Sequence, residues 1–143
     1  MTSTAQVTWV DGMQFVGEAG SGHAIVLDGK ESVGGRDTGA RPLELLLVGL
    51  AGCTAMDVKF ILQRRRQKVT GVQVKVKAER AEEHPKVYTQ IKLEYIVRGH
   101  NLSEKAVVDT IEQSEGKYCS ASAMLGKTAD ISYTYQIIEE TGA

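Results

Sequence analysis

Residues 41–68 read RPLELLLVGLAGCTAMDVKFILQRRRQK, and no other segment limits the possible folds as strongly. Arg41-Pro42 opens a helix, because proline suits the first helical position, where its missing N–H would be unpaired anyway. The helix is predicted from Pro42 to about Gln67, with Arg64, Arg65, Arg66 and Lys68 complementing the negative end of its dipole. Between Leu43 and Leu62 the apolar residues fall on nearly every side, and a helix apolar all round is buried all round. A chain of 143 residues can hardly enclose about 30 Å of such helix by itself. This predicts a homodimer packed around it. The longest uncharged apolar run, Leu45–Met56, is shorter than the ~20 residues of a bilayer span, so no membrane partner is expected.

The flanking segments read mostly as strands. Ala5–Val10 and Met13–Glu18 are separated by Asp11-Gly12, a hairpin-turn signal, and His23–Asp28 makes a third strand. The glycine-rich GKESVGGRDTGA, residues 29–40, reads as a flexible loop. Beyond the helix, Val72–Ala78 alternates strictly and Val87–Arg98 is its partner across a Glu82–Pro85 turn. Asn101–Glu104 has capping-box spacing ahead of a helix from about Ser103 to Gln113. Tyr118–Leu125 reads as a short helix and Ile131–Ile138 as a last strand. Antiparallel strands and segregated helices predict an α+β fold, in a single domain spanning 1–143.

Charge narrows the function. Lys+Arg is 17 and Asp+Glu is 18, so no bulk field draws the chain to nucleic acid. The run Arg64–Lys68 lacks interleaved aromatics and belongs to a helix end. Two cysteines form no disulfide framework, and without a CxxC or Cys/His cluster no structural zinc site is expected. His23, His84 and His100 lie far apart, in or beside turns, and read as surface histidines. The glycines of GGRDTG lack the Lys-Ser/Thr of a phosphate loop, so no cofactor is expected. The N-terminus has neither a basic n-region nor an apolar h-region, which predicts a cytoplasmic protein.

The two thiols remain. Cys53 sits mid-helix in Gly49-Leu50-Ala51-Gly52-Cys53, where two glycines each cost about 1 kcal/mol relative to alanine and clear side chains from beside the sulfur. The alternative is a small core residue with glycines for helix packing. Cys119 stands at the start of the short helix, where unpaired N–H groups favour a thiolate. Asp57 falls one turn after Cys53 and reads as a structural partner for Lys59 or for an arginine of a second chain.

Arg41-Pro42-Leu43-Glu44-Leu45-Leu46, Gly49-Leu50-Ala51-Gly52-Cys53 and Lys117-Tyr118-Cys119-Ser120 together resemble the OsmC/Ohr family of osmotically inducible and organic-hydroperoxide-resistance proteins. Gly17–His23 and Cys53–Val58 resemble its YhfA-like branch. The resemblance covers roughly Val7 to Ile138. It implies an intertwined homodimer with antiparallel sheets wrapped around long central helices. It also implies thiol-dependent reduction of organic hydroperoxides in oxidative-stress defence. Cys53 would be the peroxidatic thiol, Cys119 the resolving thiol, and an external dithiol the reductant.

An apolar cleft raises a thiol pKa, so a cation is needed to hold the thiolate. The resemblance implies an arginine in the N-terminal strand region, as the peroxide-reducing members carry, but residues 1–29 contain neither Arg nor Lys. The candidates here are Arg36 and Arg41. The family's carboxylate directly after the proline is replaced by Leu43, with Glu44 one position on, rotated by about 100° on a helix. Glu44 either orients the arginine or serves the helix N-terminus. A rival reading is a non-catalytic dimer that binds a small apolar ligand or a partner at the Cys53 pocket.

Overall fold

The computed structural model describes residues 1–141, in two compact units, one over Met1–Leu46 and the other from Leu47 onward. In the first unit β1 (Ala5–Asp11), β2 (Gln14–Ala19) and β3 (Ala24–Leu27) form an antiparallel sheet in the order β1-β2-β3. The β1–β2 turn holds Gly12 at φ +56°, a conformation that L side chains rarely adopt. The loop that follows is not the open glycine-rich segment expected from sequence. A 3₁₀ turn forms at Glu31–Val33, and Asp28, 3% exposed, gathers the rest. Its carboxylate accepts from the amides of Gly29, Arg36 and Thr38 and from the Thr38 hydroxyl at 2.5 Å. Glycines pass through this loop without side chains to place, so a single carboxylate can close it.

Helix α1 (Pro42–Arg64) begins where the proline predicts and ends three residues earlier than expected. Arg66 takes φ +58°, a left-handed backbone that stops the helix. By length and composition alone α1 could cross a membrane. Its burial follows a single stripe: Leu50, Thr54, Val58 and Leu62, four residues apart, are inaccessible to solvent. Val48, Met56 and Phe60 are exposed. The expectation of burial on every side is therefore not met within one chain.

The second unit pairs β4 (Lys68–Arg80), β5 (Tyr88–His100) and β6 (Asp130–Glu139) in the order β4-β5-β6. The alternation predicted for β4 and β5 is present. Ile91, Leu93, Tyr95 and Val97 are buried on one face, opposite Ala78, Val76, Val74 and Val72. The expectation of wholly antiparallel sheets needs one correction: β5 and β6 are parallel. A parallel neighbour requires a crossover long enough to return the chain to the same end of the sheet. Here α2 (Glu104–Gln113) and α3 (Ser120–Leu125) supply it.

The N-cap of α2 is Ser103, whose side chain accepts from the Ala106 amide at 3.2 Å. It is not Asn101, the first residue of the expected capping box, which sits at φ +51°. After α2 the chain widens into a π-helical turn over Ser114–Tyr118 before α3 begins. The Cys119 amide donates to the Ser114 carbonyl at 2.8 Å, five residues back. Sequence periodicity does not reveal this turn, since it is a local insertion into an otherwise ordinary helical pattern.

Candidate two-thiol site

The π turn is what brings the second thiol to the first. It ends at Cys119, the N-cap of α3, whose Sγ accepts from the Ser122 amide at 3.4 Å. Cys53 comes from the middle of α1. The two sulfurs and a carboxylate oxygen of Asp57 all lie within 4.8 Å of one another. Cys53 is half-buried and Cys119 buried, and both are free thiols. The sequence places these cysteines far apart, and the fold makes them neighbours.

Their environments differ. Burial pushes the Cys119 thiol up, and the neighbouring Cys53 adds to the rise, against hydrogen bonds from Ser122 that favour the thiolate. The thiolate-favouring helix N-terminus expected from sequence is thus overcome by desolvation. Helix α3 has only six residues, too short for a strong dipole. At Gly49 and Gly52 an added Cβ would meet nothing within 4 Å. These glycines leave the surface of α1 beside Cys53 open.

Beneath the thiols lies a line of hydroxyls that sequence reasoning did not find. Ser114 Oγ donates to Asp57 Oδ2 at 2.9 Å and lies 2.7 Å from Thr54 Oγ1. Thr54 Oγ1 lies 2.7 Å from Tyr95 OH, which donates to Glu115 Oε1. Thr54, Tyr95 and Ser114 are wholly buried, and burial with the Glu115 contact pushes the Tyr95 phenol well above its ordinary range. The only clue in the sequence was Asp57, one turn beyond Cys53. The expected Asp57–Lys59 pairing does not form, because Lys59 donates to Gln63 and Asp57 receives Ser114.

Arg36, Arg41 and Glu44 belong to the first unit and have partners there. Arg36 pairs with Asp11 at 3.1 Å. Arg41 Nη1 donates to Asp37 at 2.7 Å and to the Gly39 carbonyl at 3.0 Å. Glu44 accepts from the Arg41 amide at 2.7 Å, so its carboxylate serves the helix N-terminus. Within the second unit, cations share a cleft with Asp57. A cleft of about 530 Å³ is bounded by Asp57, Phe60, Ile61, Arg64, Arg65 and Tyr118. Arg64 stacks over Phe60 at 5.7 Å, and Arg65 reaches Asp109 at 3.9 Å. The basic run read as a helix end therefore also lines a cleft that shares a residue with the thiol cluster.

Residues 34–134 match the family model described as OsmC-like protein. The chain is 41% identical over 134 residues to protein YhfA of Escherichia coli K12, covering 94% of this chain and 97% of that protein. A hypothetical protein from Aquifex aeolicus VF5 superposes with a TM-score of 0.86 at 28% identity, covering 99% of each chain. The organic hydroperoxide resistance protein OsmC from Legionella pneumophila superposes with a TM-score of 0.69 at 14% identity, over 95% of this chain and 97% of that one. Sequence and fold agree: the chain belongs to the OsmC-like protein family.

Proposed function

We propose that the protein reduces organic hydroperoxides by a two-cysteine mechanism, in oxidative-stress defence in the cytoplasm. The observation that carries this reading is the approach of Cys53 and Cys119 to within 4.8 Å. The half-buried Cys53 is the attacking thiol. Its thiolate takes the distal oxygen of the peroxide, the O–O bond breaks, and the alkoxide leaves with a proton as alcohol. The buried, proton-retaining Cys119 then attacks the sulfenic acid, water leaves, and a disulfide closes. An external dithiol reopens it by exchange.

A cation must hold the thiolate and meet the departing oxygen. Arg36 and Arg41 are the arginines the sequence offers, and Arg64 and Arg65 are those of the cleft at Asp57. The working unit is a homodimer. A second copy would cover Val48, Met56 and Phe60 and approach α1 closely at Gly49 and Gly52.

The test is a count of free thiols before and after stoichiometric cumene hydroperoxide. The wild type should lose both thiols. Cys119→Ser should lose its remaining thiol to sulfenic acid, and Cys53→Ser should lose none. Peroxide consumption by Cys53→Ser would reject the assignment of the nucleophile. Arg36→Ala, Arg41→Ala and the Arg64→Ala/Arg65→Ala pair then identify the cation by which of them slows thiol loss.

A further inference from the structure

The hydroxyl line beneath the thiols does not close unless it holds an extra proton. Five oxygens stand in sequence: Asp57 Oδ2, Ser114 Oγ, Thr54 Oγ1, Tyr95 OH and Glu115 Oε1. They make four contacts. A hydroxyl carries one hydrogen and an ionised carboxylate none, so three hydroxyls provide only three hydrogens. With both carboxylates ionised, one adjacent pair of oxygens meets lone pair to lone pair, in a place where Thr54, Tyr95 and Ser114 have no access to solvent. One added proton makes four hydrogens for four contacts.

We infer that Asp57 and Glu115 share one proton through Ser114, Thr54 and Tyr95 in the reduced protein at neutral pH. The array then carries one negative charge where two carboxylates would carry two. Reversing every hydroxyl moves the proton from one end to the other. One end is at the Cys53–Cys119 cluster through Asp57. The other reaches Ser122, whose hydroxyl donates to Glu115 Oε2 at 3.5 Å and whose amide donates to Cys119 Sγ.

The surrounding titratable groups do not supply an alternative neutraliser. Cys53 and Cys119 stand beside Asp57, and Tyr133 packs edge-on to Tyr95 at 5.9 Å, itself acted on by Glu112. Arg64 and Arg65 share the cleft with Asp57, yet among the described residues no ion pair reaches Asp57 or Glu115. Holding a proton thus lowers the negative charge that a thiolate at this site would face. In the thiol chemistry proposed above, the array is the place where a thiol proton is kept until alcohol or water leaves. That part of the inference rests on the peroxide reading, whereas the count of protons does not.

The experiment is infrared spectroscopy of the reduced full-length chain at neutral pH, without peroxide. The wild type should show the C=O stretch of a protonated carboxylic acid, shifted in D₂O. Thr54→Val cuts the line into two contacts with two hydrogens, so both carboxylates ionise and the band should vanish. Ser114→Ala should abolish it for the same reason and serves if Thr54→Val fails to fold. Thr54→Ser restores the hydroxyl and should keep the band. Alkylation of the reduced thiols by iodoacetamide should slow several-fold in Thr54→Val and recover in Thr54→Ser. A wild type without the band, or a band that persists in Thr54→Val, overturns the inference. Because no peroxide is added, a failure here leaves the peroxidase reading untouched, and failure of that reading leaves the band in place.

Discussion

The two three-stranded sheets are built from similar residues and end up in opposite circumstances. In β5, Ile91, Tyr95 and Val97 have no solvent access. In β1–β3, Val7, Trp9, Val10, Ile25 and Val26 are all exposed, and every residue of β1 is. Both sheets are held by backbone ladders, each broken by a register shift, so hydrogen bonding does not separate them. What differs is whether the chain itself supplies a layer to cover the apolar side chains. The first unit is organised instead around a polar centre, Asp28. A strand pattern in sequence therefore says which face is apolar and is silent on which surface covers it.

The largest effect should come from the covered sheet. Ile91→Ala removes a fully buried side chain from β5 and should cost about 2–5 kcal/mol of unfolding free energy in urea. At low protein concentration, Ile25→Ala should cost less than about 0.5 kcal/mol, as expected of an exposed position. If the cost of Ile25→Ala grows with protein concentration, a second chain covers the first sheet, and the contrast between the sheets is one of source and not of need.

Next in size is the hydroxyl line, which exists only in the second unit. Tyr95→Phe takes from Thr54 and Glu115 the partner they share, but Thr54 keeps Ser114 and Glu115 keeps Ser122, so the cost is that of a lost hydrogen bond, about 0.5–1.5 kcal/mol. A urea midpoint unchanged from wild type would mean that the phenol contributes nothing to the core.

Much of this architecture could be read from the residues. Pro42, the Asp11-Gly12 turn and the alternation in β4 and β5 are local signals, and the structure meets them within a few residues. The two thiols were identifiable from motifs, although their approach was not, because it depends on a π turn that widens one helix by a residue. The parallel pairing of β5 with β6 was missed because strand direction is set by the connection and not by the strand. Tyr95, Ser114 and Glu115 carried no motif, and Thr54 lay in the Cys53–Val58 run without a role of its own; these residues become significant where α1, β5 and the π turn converge. The service of Glu44 to the helix N-terminus was one of two readings open in the sequence, whereas the pairing of Arg41 with Asp37 is a contact ahead of the helix that no periodicity encodes.

The polar centre of the first unit gives a smaller and pH-dependent effect. The Thr38 hydroxyl, more than the amides of Thr38, Gly29 and Arg36, holds Asp28 down at about 2, against burial that opposes it, compared with 3.8 for an unconstrained aspartate. A depressed carboxylate stabilises the fold above its unfolded value, and that contribution is lost as pH falls through the folded one. Asp28→Asn should therefore be less stable than wild type at neutral pH. The two should converge between pH 3.8 and about 2 in thermal melts. Parallel curves over that window would remove Asp28 as the organiser of the loop.

The smallest effects should come from surface ion pairs, of which one in each unit serves as the test. Arg36–Asp11 and Lys105–Asp109 join exposed or half-exposed groups, at 3.1 and 2.6 Å, where solvent and salt screen the attraction and ordering two long side chains opposes it. Arg36→Ala and Lys105→Ala should each leave the thermal midpoint unchanged, at low and high salt alike. For Arg36 this near-zero result is useful in itself. If its removal leaves the melt unchanged and still slows peroxide-driven thiol loss, the defect lies in the chemistry and not in the fold. An Arg36→Ala protein with both an unchanged melt and unchanged thiol loss would pass the cation's role to Arg41 or to the arginines at Asp57.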